Sequence, residues 1–311
     1  MVLFRMALTM VRHGETQFNK DGLLQGQAID SCLSETGVQQ AEAVGLYLKD
    51  VHFTNLFVSE MLRARQTAEV ILKHNSSSCA LEMVCDSLLK EKSFGVAEGQ
   101  PVKVYRDMAA AAGLEVLDFV APGGESEQQV TERFKLFLES MLRRVDADHW
   151  LNRPEPVPSA PEPDPSAPEP DPSAPEPDPS APEPVPSAPE PVPSAPEPDP
   201  SAPEPEPRAP PPAEGGADDG LGSLGVHALL VSHGAYIRAA VRHLLRALGC
   251  SAPPGCDHAH MLSLSPNTGV SRFVLTLARD QAGPDQGGPD QGGLTVRTVR
   301  AVFVHRADHL K

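Results

Sequence analysis

Apolar residues recur along the chain with the two periodicities that predict strands and helices. Three continuous apolar runs, at residues 7–11, 55–59 and 226–232, are typical of strands that are buried on both faces. Near the C-terminus, residues 270–278 and 295–304 alternate between apolar and polar positions enough to predict an antiparallel pair. The pattern therefore predicts a sheet that contains both buried and half-buried strands.

Between these strands, apolar residues recur three and four positions apart, which predicts helices. One helix is expected from about Val38 to Lys49, and a second from about Met61 to Lys73. Further helices are predicted over residues 102–113, 125–145 and 235–248. Because strands and helices alternate, we predict an α/β fold, a three-layer sandwich whose mainly parallel central sheet is flanked by helices. Such sheets bind ligands at the carboxyl ends of their strands.

A proline-rich repeat interrupts this pattern. The unit PEPxPSA recurs eight times between Pro154 and Ala209, and this segment with the three prolines after it holds 27 of the 34 prolines. Proline at three positions of each unit excludes a helix, so we predict a disordered insertion with a polyproline II bias. The flanks, residues 1–153 and 221–311, are predicted to be two parts of one domain around an insertion at residues 154–220.

The charge of the chain is concentrated in the same insertion. The formal net charge is −16, but sixteen acidic residues and one basic residue lie between Pro154 and Gly220. The remaining residues include 26 acids and 25 bases, so the rest of the chain is nearly neutral. The acidic total therefore does not exclude an anionic ligand, because a basic pocket can form in a neutral domain.

The five cysteines favour an intracellular protein with reduced thiols, since their number is odd and no Cys-x-x-Cys spacing occurs. The apolar N-terminal run is short and contains Arg5, which favours a buried strand over a signal or membrane segment. Cys250 and Cys256 lie near His258 and His260, but their spacing matches no standard metal site, and a polar loop is expected there.

Two histidines stand at the ends of predicted strands. His13 follows Arg12 at the end of the first apolar run, His233 comes directly after the third, and a glycine follows each histidine. Because parallel strands end at the same edge of a sheet, we expect these imidazoles to lie close together. Arg63 opens the helix that follows the strand at residues 55–59. Basic groups beside a helix N-terminus indicate a site for an anion, above all phosphate.

Five motifs occur in a fixed order: RHGET, SEMLRARQT, FGVAEG shortly after Glu91, PGGES and VSHG. Together they resemble the histidine phosphatase superfamily, which includes the phosphoglycerate mutases and the fructose-2,6-bisphosphatases. LSETGVQQA and SPNTGVS are similar to the fructose-2,6-bisphosphatase type. The resemblance runs from about residue 5 to 148 and from 226 to 310, and it implies a phosphoglycerate mutase-like fold. The proline-rich repeat has no counterpart in the family pattern.

The resemblance also implies a role for each candidate catalytic residue. His13 would be the nucleophile that carries the phosphoryl group, with its second ring nitrogen held by the backbone that follows. Arg12 and Arg63 would grip the phosphoryl oxygens, and His233 as a cation would face the developing charge. Glu91 would act first as acid and then as base. By analogy, the substrate shell would be completed by Asn19, Gln25, Gly26, Gly234 and Ala235. No metal or other cofactor is implied.

The implied activity is hydrolysis of fructose 2,6-bisphosphate through phosphohistidine, with 2,3-bisphosphoglycerate and related phosphoesters as further substrates. Two alternatives remain at this point: a phosphoglycerate mutase-type transfer, and a proline-rich scaffold with a weakly active body. The tetrapeptide PSAP occurs seven times in the repeat and resembles ligands of sorting-machinery, SH3 or WW domains, although an inert spacer is favoured. The expected partner is otherwise a small phosphorylated metabolite, with neither nucleic acid nor membrane.

Three positions depart from the family pattern near the acid glutamate. Phe94 stands where the family usually has a tyrosine, so one hydrogen bond to substrate would be missing. Lys90 and Lys92 stand where relatives often carry arginine, which replaces a bidentate donor by a point charge. These differences bear on substrate preference and affinity rather than on the class of reaction. The resemblance further implies a mainly cytoplasmic protein, with nuclear or mitochondrial association.

Overall fold

A computed structural model describes residues 2–151, 221, 224–253, 255–279 and 293–311. The whole predicted insertion at residues 154–220, with its proline-rich repeat, lies outside the described residues, so the predictions made for it stay predictions. Within the described ranges, no helix combines the length and the hydropathy that a bilayer span requires.

The centre of the fold is one six-stranded sheet with the order β3-β2-β4-β1-β5-β6. The strands are β1 (Leu3–Arg12), β2 (Asn55–Ser59), β3 (Met83–Asp86), β4 (His227–Ser232), β5 (Val270–Arg279) and β6 (Leu294–Arg306). β1, β2, β3 and β4 run parallel to one another, whereas β5 is antiparallel to β1 and β6 is antiparallel to β5. The mainly parallel sheet is therefore confirmed, and its antiparallel end is the predicted C-terminal pair.

Seven α-helices occur among the described residues. They are α1 (Gln17–Lys20), α2 (Glu35–Tyr47), α3 (Leu62–His74), α4 (Val102–Ala111), α5 (Glu127–Asp146), α6 (Gly234–Arg246) and α7 (His258–Met261). The prediction that α2 starts at about Val38 was wrong. The helix starts at Glu35, because the hydroxyl of Ser34 accepts a hydrogen bond from the Gly37 N–H and caps the first turn.

Apolar side chains cover both faces of the sheet and define the three layers. α5 and α6 pack on one face, where Phe134, Phe137 and Ile237 are almost fully buried. α2 and α3 pack on the other face through side chains that include Val44 and Ile71. Burial of each large apolar side chain contributes about 1.5–3 kcal/mol, so the two clusters hold the strand ends in a fixed arrangement.

The register between β1 and β4 places the two candidate histidines side by side. Arg12 lies opposite Ser232 in this parallel pair, so both strands end at the same level. The backbone N–H of His13 donates a 2.9 Å hydrogen bond to the carbonyl of Ser232, which extends the ladder by one step. The predicted meeting of the two strand ends is therefore present in the structure.

Two histidines away from this edge make the fold sensitive to acid. Burial, followed by the nearby Arg272, lowers the pKa of His227 to about 3, and burial lowers the pKa of His305 to about 4. The unfolded chain takes up these protons near pH 6.5, so stability is complete above that pH and falls as the pH drops towards the folded-state values. We expect each of these two histidines to lower the free energy of unfolding by about 2 kcal/mol at pH 5.

Urea unfolding at pH 7 and at pH 5 measures this loss. The midpoint should fall at pH 5, and the fall should be smaller for His227→Gln and His305→Gln than for the wild type. Equal stability of the wild type at both pH values would contradict the prediction.

Candidate active site

His13 is buried at the end of β1 with one ring nitrogen fixed and the other available. Its Nδ1–H donates a 2.7 Å hydrogen bond to the carbonyl of Gly14, which sets the tautomer and leaves the lone pair on Nε2. Burial, followed by the charges of Arg63 and Arg12, lowers the pKa of His13 well below its ordinary value. The imidazole is therefore neutral at physiological pH, which is the form that can act as a nucleophile.

The turn after His13 requires a glycine because two backbone segments approach closely. A Cβ atom at Gly14 would overlap the carbonyl oxygen of Gly37 on α2. The Gly14 N–H donates a 3.0 Å hydrogen bond to Thr67 Oγ1 on α3. Both contacts fix the backbone of Gly14, whose carbonyl orients His13.

His233 lies beside His13, with 5.1 Å between the ring centroids. The Nε–H of Arg63 donates to His233 Nδ1 at 3.2 Å, and His233 Nε2 is 2.8 Å from Ser59 Oγ. A guanidinium can only donate, so Nδ1 carries a lone pair and Nε2 carries the proton. Burial, followed by the charge of Arg63, lowers the pKa of His233. This imidazole is therefore neutral in the ligand-free site, and the cationic role expected from the resemblance concerns the reacting complex.

Arg63 is fully buried and is fixed by backbone carbonyls. Its Nη1 donates to the carbonyl of Ile29 at 3.0 Å, and its Nη2 donates to the carbonyl of Gly26 at 3.2 Å. Burial lowers the pKa of Arg63 to about 10, so the side chain stays cationic at neutral pH. Its charge is therefore positioned beside His13 and His233 before any ligand arrives.

One guanidinium nitrogen of Arg12 is hydrogen-bonded to the backbone, and another has no acceptor within the part of the chain that the structure describes. Its Nη1 donates a 2.7 Å hydrogen bond to the carbonyl of Ser265. Its Nε is buried and has no hydrogen-bond acceptor among the described residues. A buried donor without an acceptor is costly, and a phosphoryl oxygen would supply the acceptor.

Glu91 reaches the same edge from the loop after β3 and is 7% exposed. Its carboxylate accepts hydrogen bonds from the N–H groups of Ala235 and Tyr236 at 3.0 Å each, and from the N–H of Lys92 at 2.7 Å. The first turn of α6 therefore fixes the carboxylate. The backbone N–H of Ala235, which was predicted to contact substrate, is bonded to Glu91 in this structure.

The predicted shell residues Asn19 and Gln25 have different surroundings. Asn19 Oδ1 accepts from the Thr16 N–H and from Asn267 Nδ2, each at 3.2 Å. Gln25 is buried, with Oε1 accepting from Thr16 Oγ1 at 2.8 Å and Nε2 donating to Ser31 Oγ at 2.5 Å. The Gln25 amide is therefore committed to the surrounding loop.

The loop at residues 265–269 supports His13 and was not assigned a role from the sequence. Asn267 Nδ2 and the Thr268 N–H both donate to the carbonyl of His13, at 3.1 and 3.3 Å. Ser265 supplies the carbonyl that holds Arg12. SPNTGVS was part of the resemblance, but no spacing in the sequence indicates that its amide reaches the backbone of a residue 254 positions away.

A basic cluster, defined as Lys92, Arg238 and Arg242, lies next to Glu91 around one acid. Lys92 is 2% exposed, and Arg238 follows the start of α6 by one helical turn. Glu127 is 3.9 Å from Arg238 and 3.6 Å from Arg242, and its buried oxygens make no hydrogen bond among the described residues. Glu127 offsets one of the three positive charges, and with Glu91 beside Lys92 the cluster still keeps a net positive charge. Of its members, only Lys92 was singled out from the sequence.

The other two departures from the family pattern contribute no polar group to the cluster. Lys90 forms a 2.6 Å ion pair with Glu60. The ring of Phe94 packs edge-on against Tyr105, with 5.4 Å between centroids, and Lys92 Nζ lies 5.7 Å from the Phe94 centroid. Tyr105 donates its hydroxyl to the carbonyl of Phe119 at 2.7 Å, so this phenol does not replace the one missing at position 94.

Comparisons with known proteins agree with this geometry. The model of the histidine phosphatase superfamily (branch 1) matches residues 8–151. The fructose-2,6-bisphosphatase TIGAR B of Danio rerio is 42% identical over 309 residues, which cover 99% of this chain and 98% of the relative. The chain belongs to the histidine phosphatase superfamily. A second superfamily relative, the fructose-2,6-bisphosphatase TIGAR of Bos taurus, is 34% identical over 90% of this chain and 91% of its own length.

The predicted phosphoglycerate mutase-like fold is also confirmed by a solved structure. The phosphoglycerate mutase from Bacillus anthracis str. Sterne superposes with a TM-score of 0.56 at 21% identity, covering 99% of this chain and 96% of the mutase. At this identity the likeness concerns the fold alone. Among the residues that the structure describes, no group of three or more histidine, cysteine, aspartate or glutamate side chains could hold a metal ion.

Proposed function

We propose that the chain is a phosphatase that hydrolyses fructose 2,6-bisphosphate through a phosphohistidine at His13 and thereby lowers glycolytic flux. The observation that carries this proposal is the neutral, oriented imidazole of His13 between two arginines, with a carboxylate on the adjacent helix end. The relatives of similar length are named as fructose-2,6-bisphosphatases, which supports the choice of substrate.

In the first step, His13 Nε2 attacks the phosphorus atom, so that a P–N bond forms while the P–O bond to the sugar breaks. Arg12 and Arg63 neutralise the charge on the non-bridging oxygens. Glu91, in its protonated form, gives its proton to the leaving sugar oxygen, which departs as an alcohol. An anionic substrate favours the protonated form of His233, so the cationic role of His233 belongs to the complex.

In the second step, the carboxylate of Glu91 takes a proton from a water molecule. The oxygen of this water attacks phosphorus, the P–N bond breaks, and inorganic phosphate leaves. His13 returns to its neutral form and Glu91 is again protonated, so both groups are ready for the next turnover. The same residue thus acts as acid and then as base.

The basic cluster supports a substrate with two phosphate groups. Lys92 adjoins Glu91 in sequence, and Arg238 lies one turn along the helix whose first N–H groups hold that carboxylate. The cluster is therefore beside the reacting centre but separate from the pair Arg12 and Arg63. A second phosphate would supply the negative charge that Glu127 alone leaves unbalanced.

Removal of a positive charge from the basic cluster is expected to lower kcat/KM for bisphosphates much more than for substrates with one phosphate. Lys92→Met and Arg238→Gln should each lower kcat/KM for fructose 2,6-bisphosphate about 10- to 100-fold, because a charge-assisted contact is worth about 1.5–3 kcal/mol. The value for p-nitrophenyl phosphate, which has one phosphate, should change little. Lys135→Met removes an exposed, ion-paired lysine of α5 and serves as control. An equal loss for both substrates would refute the second-phosphate role.

The reaction class is tested with a panel of phosphorylated sugars and glycerates, comparing phosphate release with isomer formation. We expect phosphate release to dominate and fructose 2,6-bisphosphate to give the highest kcat/KM. Isomer formation in excess of release would instead identify a mutase. Release from none of the substrates would reject the enzyme and favour the scaffold alternative.

The proline-rich repeat, which lies outside the described residues, is proposed to be a spacer that takes no part in turnover. Recognition of its PSAP tetrapeptides by sorting-machinery, SH3 or WW domains is the alternative, and repetition would favour it through avidity. A cytoplasmic location, with nuclear or mitochondrial association, is part of the same proposal.

A further inference from the structure

Arg133, on the second turn of α5, binds the backbone of the segment that ends at Glu91. Its Nη1 donates to the carbonyls of Leu88 and Lys90 at 2.7 and 3.0 Å, and its Nη2 donates to the carbonyl of Glu91 at 3.2 Å. One guanidinium therefore satisfies three carbonyls within four residues. Apart from the short 3-10 helix Ser87–Leu89 this segment has no regular structure, so these carbonyls depend on such a partner for their hydrogen bonds.

Glu125 fixes the guanidinium from the other side. Its Oε1 accepts from Arg133 Nε at 2.8 Å, and its Oε2 accepts from Arg133 Nη2 at 2.9 Å. The two side chains are 17% and 18% exposed, so the pair is largely shielded from water. Glu125 Oε2 also accepts from the Ser93 N–H at 2.8 Å. The pair thus holds the loop on both sides of Glu91.

The same pair is connected to the loop that holds Arg63. Gln27 Nε2 donates to Glu125 Oε2 at 2.9 Å and to the carbonyl of Glu91 at 2.8 Å. The neighbours of Gln27, Gly26 and Ile29, supply the carbonyls that hold Arg63. The segment that carries Glu91 and the loop that holds Arg63 are therefore joined by one set of hydrogen bonds.

We propose that Arg133 and Glu125 are positioning residues that hold the Glu91 carboxylate where it can protonate the leaving oxygen and then deprotonate the attacking water. The proposal rests on the proposed function of Glu91. Neither residue touches the reacting atoms, and both act through the backbone at residues 88–93. A displacement of about 1 Å in a catalytic group is enough to cost about 100-fold in rate.

The dependence on the leaving group distinguishes positioning from a merely structural role. Arg133→Lys keeps the charge but loses the fork that spans three carbonyls, and Glu125→Gln keeps the shape but weakens the hold on Arg133. Each variant should lower kcat/KM for alkyl phosphates about 10- to 100-fold. For p-nitrophenyl phosphate, whose leaving group needs no proton, kcat/KM should stay near the wild-type value.

With p-nitrophenyl phosphate, the misplaced Glu91 carboxylate should slow the second step of the reaction, which is hydrolysis of phosphohistidine. Hydrolysis of phosphohistidine still needs the base, so kcat should fall while a burst of p-nitrophenol becomes visible. Arg144→Lys is the matched control, since Arg144 lies on the same helix in an ion pair with Glu82 and Asp148 and should leave all values unchanged.

Equal losses of kcat/KM for alkyl and p-nitrophenyl phosphates, or no loss for either, would overturn the inference. The wild type and Glu91→Gln are measured in parallel. If Glu91→Gln shows the leaving-group dependence and the Arg133 and Glu125 variants do not, the positioning role is rejected while the proposed function of Glu91 stands. If Glu91→Gln does not show it, the proposed function of Glu91 fails as well. Should Arg133→Lys not fold, Glu125→Gln gives the same test.

Discussion

Replacement of His13 by alanine is expected to lower phosphate release from fructose 2,6-bisphosphate by about 10⁴- to 10⁶-fold, as loss of a catalytic nucleophile does in other enzymes. No other imidazole can take its place, because His233 is held on both ring nitrogens by Arg63 and Ser59. The two arginines would still bind the phosphoryl group. We therefore expect substrate binding to persist while phosphate release is lost.

Initial rates of phosphate release, with binding followed by calorimetry, measure both parts of this result. His258→Ala, which removes an exposed histidine of α7, is the control and should behave as the wild type. Circular dichroism and thermal melting of His13→Ala should match the wild type. A correctly folded variant that retains a substantial part of the activity would remove His13 from the mechanism.

Replacement of Glu91 by glutamine has the second largest expected effect. The carboxamide keeps the shape of the side chain but can neither give nor take the proton, so kcat/KM for fructose 2,6-bisphosphate should fall about 10²- to 10⁴-fold. With p-nitrophenyl phosphate, kcat/KM should fall far less, because p-nitrophenolate leaves without a proton. The comparison of the two substrates separates proton transfer from binding.

Glu132→Gln, in an exposed ion pair on α5, is the matched control and should leave both substrates unaffected. Steady-state rates over a range of pH complete the measurement. The pH profile of the wild type should differ from that of Glu91→Gln, because only the carboxyl group can give and take a proton. A uniform loss for both substrates would mean that Glu91 binds or supports the site rather than transferring a proton.

The placement of the site could be predicted from the sequence because it follows from strand ends. His13 and His233 each terminate an apolar run, and parallel strands of an α/β sheet present their carboxyl ends at one edge. Arg63 opens a helix after a third such strand, β2. These rules bring three residues together without any knowledge of side-chain contacts. The orienting backbone after His13 was instead expected from the chemistry of a nucleophilic imidazole, and the hydrogen bond to the Gly14 carbonyl is present.

What the sequence could not predict depends on contacts between distant side chains. The neutral state of His233 follows from the direction in which Arg63 donates, which requires the geometry of both groups. The bond between Ala235 and Glu91 joins residues 144 positions apart. Likewise, Arg238 reads as an ordinary surface charge of an amphipathic helix until Lys92 and Glu127 are placed beside it.

The start of α2 was misplaced and β3 was not predicted, and each error has a reason in the local sequence. Ser34 in LSETG is a favourable cap, and recognition of it would have placed the start of α2 correctly. β3 was not predicted because it is a four-residue edge strand without a fully buried residue, so it lacks the apolar run that marks the other parallel strands. Its position at the edge depends on pairing with β2, which is a tertiary contact.

The central claim, transfer of the phosphoryl group to His13, is tested most directly by trapping the intermediate. Wild-type protein is mixed with radiolabelled fructose 2,6-bisphosphate, quenched within one turnover and digested, and the labelled peptide is analysed by mass spectrometry. We predict a label on His13 that is stable in alkali and lost in acid, as a P–N bond requires, and that forms and decays at the rate of turnover. A label on another residue, or phosphate release with no labelled protein at any time, would contradict the mechanism.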